Sequence, residues 1–210
     1  MTVHAPSEPF EGSELRLPAV QAVADPAPLG LAAFAMTTFA LSLYNADVWG
    51  PAVFPALALA PAYGGFAQLL AGMWEFVRKN TFGALAFTSY GAFWISYYVF
   101  AHFEAPAIKL GADGTTAAGV FLLGWTIFTC YMLLASLRVS LAVVGVFATL
   151  TATFVLLTIG ALQANATITK AGGWVGIVTA AVAWYASAAG VMNETFKRTV
   201  LPVVPLAPRG

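Results

Sequence analysis

Of the 210 residues, 60% are hydrophobic and 9% are charged, against roughly 25% charged in soluble domains. Nine Lys and Arg balance nine Asp and Glu, so the chain carries no excess charge that would draw it to nucleic acid. A mean hydropathy of +0.82 excludes an ordinary water-soluble domain and predicts an all-α membrane protein, since a helix needs about 20 mainly apolar residues to cross the bilayer.

The first 24 residues include Pro6, Pro9 and Pro18 with Glu8, Glu11 and Glu14. They lack the basic start and unbroken apolar run of a signal peptide and read as a flexible N-terminal tail. The next residues, Asp25 to Leu31, spell DPAPLGL. Asp25 suits a helix cap, Pro26 and Pro28 suit a first turn whose N–H groups lack intrahelical partners, and Gly30 permits close packing. With Glu194, these residues are expected to form a cytoplasmic mouth.

Hydropathy, with charges as boundaries, places six transmembrane helices at Pro28–Val48, Val53–Val77, Phe82–Phe103, Thr116–Leu137, Leu141–Leu162 and Gly172–Met192. A transmembrane domain over residues 25–202 and a C-terminal tail over 203–210 follow. Pro55 and Pro61 should bend or break the second span. Arg16, Arg78, Lys79, Arg138, Lys197, Arg198 and Arg209 fall on one side, against Lys109 and Lys170 on the other. The positive-inside rule therefore predicts that both the N and C termini are cytoplasmic. Gly172 with Gly176, Ala186 with Gly190, and Gly64, Gly65 and Gly72 predict close helix contacts, within one chain or between subunits.

Polar side chains fall in stripes. Phe34, Thr38, Ser42 and Asn45 share one face of the first span, and Phe147, Thr151, Phe154 and Thr158, with Leu150 beside them, share a face of the fifth. The third span carries Thr88, Ser89, Tyr90 and Ser96, and Gln68 lies near the middle of the second. Such residues bond neighbouring helices or line an aqueous path; on the second reading Thr38, Ser42, Asn45, Gln68, Thr88, Ser89 and Thr151 form a substrate path. No acidic side chain falls in the central turns of a span, so a mid-membrane carboxylate relay lacks its residue. Glu75 and Glu194 are expected at the rim, paired with Arg78 and with Lys197 or Arg198.

Only His4 and His102 occur, with a single cysteine, Cys130. No His-based triad, metal cluster or disulfide is expected, nor any cofactor, and an enzyme is the weak hypothesis.

DPAPLGL, together with Tyr63 to Gln68 (YGGFAQ), Gly72 to Glu75 (GMWE), Asn80 to Gly83 (NTFG), Phe87 to Gly91 (FTSYG) and Asn193 to Pro202 (NETFKRTVLP), resembles, in order, the blocks of the acetate uptake transporter family. The resemblance runs from Asp25 to Pro202. It departs at Asp25, where relatives usually carry Asn. It implies a homohexamer of six-helix subunits in a cell membrane, such as the bacterial inner membrane, passing acetate or a similar short carboxylate through each subunit. It also implies a pore constriction at Phe34, Tyr90 and Leu150, with passive or proton-linked flow. The alternatives are a channel for another small solute, such as ammonia or water, and a non-transporting membrane scaffold.

Overall fold

A computed structural model of the chain describes residues 23–104 and 112–206. The expected N-terminal tail, most of the long connection before Thr116 and the last four residues lie outside the described residues.

Helix α1 spans Ala27–Asn45. Pro26 and Pro28 sit at its start, where a missing N–H breaks no ladder, and Asp25 Oδ1 accepts the amide of Ala27 at 3.1 Å. The helix stops before Asp47, whose φ of 57° is left-handed.

The second rod, Gly50–Val77, is not one uniform α-helix. It opens with a 3-10 turn at Gly50–Ala52, runs as α2 over Val53–Leu59, widens into a π-helix over Ala60–Ala67 and resumes as α3 over Gln68–Val77. The two prolines act differently. Pro55 stands in the first turn of α2, where its missing donor is harmless. Pro61 stands where an α ladder would need its N–H and where its ring crowds the carbonyl four residues back, and the backbone answers by widening. Gly65 makes the wide turn possible: a Cβ there would lie 2.6 Å from the carbonyl oxygen of Ala60.

Lys79, at φ 60°, turns the chain into α4, Thr81–Val99, capped by Asn80 through a 3.1 Å bond from the Gly83 amide. A short π turn, Phe100–Glu104, extends it. Helix α5 covers Ala112–Ser136, α6 Leu141–Leu162 and α7 Ala166–Phe196. Ser140 caps α6 through Val143 N–H at 3.3 Å, and Asn165 caps α7 through Thr167 N–H at 3.0 Å. At 1.5 Å per residue the 31 residues of α7 extend about 46 Å. They overrun the ~30 Å hydrocarbon layer, so α7 starts and ends beyond the predicted Gly172–Met192.

Five rods are long and apolar enough to cross a membrane: α1, the Gly50–Val77 rod, α5 from Gly114, α6 and α7. The sixth, α4, is helical over 19 residues, but Thr81, Thr88, Ser89, Ser96 and its tyrosines dilute its hydropathy. It is shielded instead by packing, with Ala84, Phe87, Tyr90, Phe93 and Trp94 all buried.

Helix α1 packs chiefly on α7, α7 on α6, α6 on α5, and α3 on α4. The glycine spacings act inside one chain. A Cβ at Gly64 would meet Thr37 Cβ at 2.9 Å, one at Gly72 would strike Thr88, and one at Gly172 would meet Leu157 Cδ2 at 2.8 Å. The α4 and α5 backbones stay apart, and rings fill the gap: Phe93 to Trp125 at 5.1 Å and Phe93 to Phe121 at 5.8 Å.

Phe54, Phe66, Trp74, Val120, Ile127, Leu134 and Trp174 point outward and are exposed. So broad an apolar exterior suits lipid or other helices rather than water, and the chain is a multi-pass membrane protein.

The segment after α7 returns to α6. Leu141 and Ala142 donate their amides to the carbonyls of Val204 and Val203 at 2.9 and 3.2 Å, and Leu206 donates to Val139 at 3.1 Å. Asn193 Oδ1 accepts the amides of Val200 and Leu201, and Tyr185 donates its hydroxyl to the carbonyl of Pro202 at 2.7 Å.

Candidate functional site

Two cavities lie within the helix bundle, and they share Phe34 and Leu150 in their walls. The wide one, about 370 Å³, opens toward the C-terminal ends of α1, α4 and α6 and includes Thr38, Ser42, Asn45, Trp94, Tyr97 and Thr153. The narrow one, about 100 Å³, lies toward the start of α1 and includes Gln68, Glu75, Asn80, Tyr90 and Phe147.

The side chains that separate them come from three helices. Phe34 on α1, Tyr90 on α4 and Leu150 on α6 are 5%, 3% and 4% exposed, and the rings of Phe34 and Tyr90 have centroids 5.8 Å apart. Tyr90 is held from behind. Its hydroxyl and that of Thr129 share a 2.9 Å hydrogen bond, and Phe128 meets its ring edge-on at 5.3 Å. Anchoring the hydroxyl to α5 turns the apolar ring, not the polar tip, toward Phe34.

Polar groups flank this partition unevenly. Thr37, Thr129, Thr149, Thr151 and Thr179 each donate to a carbonyl four residues back in their own helix, the default for threonine in an apolar helix. Thr38 does not: its hydroxyl is buried without a protein partner, as is the indole N–H of Trp94. Both residues line the wide cavity. In the narrow cavity the unpartnered buried atoms are Gln68 Oε1 and Glu75 Oε1.

The predicted site residues therefore divide. Thr38, Ser42 and Asn45 line the wide cavity, Gln68 the narrow one, and Phe34, Tyr90 and Leu150 the partition between. Thr88, Ser89 and Thr151 line neither. Thr88 packs against Gly72, Ser89 is rotated by one residue from Tyr90, and Thr151 donates to Phe147 at 2.7 Å.

Glu75 departs from the rim position expected of it. It is fully buried, and Asn80 Nδ2 donates to its Oε2 at 2.9 Å while Arg78 stands 3.9 Å away. Arg78 pairs instead with Asp25. Glu75 and Gln68 lie seven residues apart on α3, two turns and hence one face; that spacing was visible in the sequence. Trp94 carried no such signal, because an unpartnered indole is defined only once its neighbours are known.

The DPAPLGL residues seat α1. Ser187 donates its hydroxyl to the carbonyl of Pro28 at 2.7 Å, and a Cβ on Gly190 would meet Pro28 Cγ at 2.8 Å. A Cβ on Gly30 would lie 2.5 Å from Phe87 Cδ1. Pro26 is buried. Asp25 and Glu194 border a surface depression, with Glu194 paired to Lys197. Because the Asp25–Arg78 pair is 46% and 35% exposed, it contributes at most about 1 kcal/mol. Asp25→Asn, which keeps an acceptor for the Ala27 amide, is expected to leave the melting temperature of the purified protein within about 3 °C of the original.

Comparison with known proteins agrees with this architecture. The sequence profile of the GPR1/FUN34/yaaH family matches residues 10–208. Acetate permease A of Emericella nidulans is 41% identical over 206 residues, covering 89% of this chain and 68% of that protein. The succinate-acetate/proton symporter SatP of Escherichia coli is 41% identical over 182 residues, covering 86% and 95%. Ammonia transport outward protein 2 of Saccharomyces cerevisiae is 38% identical, covering 90% and 68%. A solved structure of the bacterial acetate channel SatP superposes with a TM-score of 0.79 at 39% identity, covering 87% of this chain and 99% of the other. The chain belongs to the GPR1/FUN34/yaaH family.

Proposed function

We propose that this protein carries acetate, and short carboxylates of similar width such as succinate, across a cell membrane through a path within each subunit. The observation that carries this reading is the pair of cavities in one subunit, divided only by the side chains of Phe34, Tyr90 and Leu150. A short acid fits either chamber, and three apolar side chains are the barrier between them. The relatives named for acetate and succinate support the choice of solute. A charged carboxylate requires hydrogen-bond donors in place of water, and Thr38, Ser42, Asn45 and Trp94 offer them in the wide cavity.

The subunit is proposed to assemble as a hexamer, with both termini and the narrow cavity on the cytoplasmic side of a bacterial inner membrane. Arg78, Lys79, Arg138, Lys197 and Arg198 at the narrow-cavity end support that orientation. Uptake of labelled acetate by proteoliposomes should exceed uptake by protein-free vesicles; equal rates, with insertion verified, rule out transport of acetate. Native mass measurement should give six chains. Passage of ammonia is the second reading, favoured by the apolar partition, which a small neutral molecule crosses without donors; a stopped-flow pH signal on ammonium dilution tests it.

A further inference from the structure

The two chambers differ in the hydrogen-bonding groups left without partners. The wide cavity carries a free N–H on Trp94 and a free hydroxyl on Thr38. An indole N–H donates only, so this wall suits a carboxylate. The narrow cavity carries Gln68 Oε1, which amide rotation can exchange for the NH2 group, and Glu75 Oε1, which nothing in the chain satisfies. Glu75 is the only acidic residue lining either cavity.

Its seat is built. Asn80 fixes Oε2 at 2.9 Å, and Gly83 leaves room for Oε1, since a Cβ there would lie 2.8 Å from it. The groups that face it are Arg78, engaged with Asp25, then Asp25 itself at the start of α1, and Asn80 and Tyr90 from the α4 side. None of them supplies a donor to Oε1. A carboxylate solute brings another negative charge and no donor, whereas a protonated carboxylic acid brings the one O–H that this position lacks.

We infer that Glu75 is the proton-exchange group of the transport path, taking the proton from a carboxylic acid that has crossed the partition and returning it when flow reverses. This rests on the transport reading above. The acid's O–H bond breaks and an O–H bond forms on Glu75 Oε1, so R–COOH and Glu75 carboxylate become R–COO⁻ and the Glu75 carboxylic acid. The anion leaves past Arg78 and Lys79, and Glu75 then releases its proton to water on that side. One proton and one solute cross together, without a carboxylate in the middle of the membrane.

The test is acetate uptake by proteoliposomes at a series of pH values, with and without an imposed pH gradient, for the wild type, Glu75→Gln and Asn80→Ser. Glu75→Gln keeps the shape and cannot titrate. It is expected to retain exchange of labelled for unlabelled acetate at equal pH within about threefold, while losing the gradient-driven stimulation. Asn80→Ser keeps a cap for α4 but removes the donor at Glu75, and is expected to shift the midpoint of the pH profile while leaving its plateau. In the wild type, infrared difference spectra on acetate addition should show a protonated-carboxyl band from the protein, absent from Glu75→Gln. Wild-type flux with an unchanged gradient response in Glu75→Gln overturns the inference, as does absence of the band from the wild type. Lack of wild-type flux instead removes the transport reading itself.

Discussion

Leu150→Ala is expected to admit three-carbon monocarboxylates that the wild type holds back, lowering discrimination between acetate and the longer acid by roughly tenfold, since a methylene in an apolar site is worth about 1–3 kcal/mol. Leu150 is 4% exposed and borders both cavities, so shortening it opens the partition itself. Tyr90→Ala should act in the same direction but less cleanly, because it also abandons the hydroxyl of Thr129 and the edge-on contact with Phe128. Truncating a buried leucine destabilises by about 2–5 kcal/mol, so the melting temperature must be measured beside the competition between the two solutes in proteoliposomes. A folded Leu150→Ala protein with unchanged selectivity would place the width-setting element elsewhere.

Gly173→Leu is expected to abolish the folded protein. Gly173 on α7 faces the backbone at the end of α1: a Cβ there would strike the backbone nitrogen of Ala46 and lie 2.6 Å from the carbonyl carbon of Asn45. Overpacking normally costs about 1–3 kcal/mol because side chains can move; here the obstacle is main chain and cannot adopt another rotamer. Parting α1 from α7 would also move Gly176 off Ser42 and Gly190 off Pro28. Loss of the monodisperse species on size exclusion in mild detergent is the expected readout. Gly145→Leu is the control, because the nearest atom to a Cβ at Gly145 is a flexible Val182 methyl at 3.3 Å.

Helices α1 and α6 and the partition were legible in the sequence because their signals are local or carried by the family resemblance: an apolar run, a cap, a stripe at helical spacing. The stripe Phe34, Thr38, Ser42, Asn45 falls along one wall of the wide cavity. Other residues were not legible, each for a definite reason. Thr151 shares the spacing of a lining residue, but the carbonyl of Phe147 four residues earlier takes its hydroxyl. Glu75, near a span end and three residues before Arg78, reads as half of a surface ion pair. Its burial depends on Asn80, Gly83 and the start of α1, which only the tertiary packing brings together, and Arg78 is diverted by Asp25 from across the fold.

The widened turn at Ala60–Ala67 has a consequence for which changes in length the chain tolerates. Each residue advances an α-helix by about 100°, and a π turn stores an extra residue without lengthening the rod in proportion. The turn therefore sets the phase of everything that follows it on that rod, Gln68 and Glu75 included. Losing one residue between 60 and 67 would let the rod close into regular α-helix and swing both side chains about a quarter-turn or more away from the narrow cavity, leaving hydropathy and span count untouched.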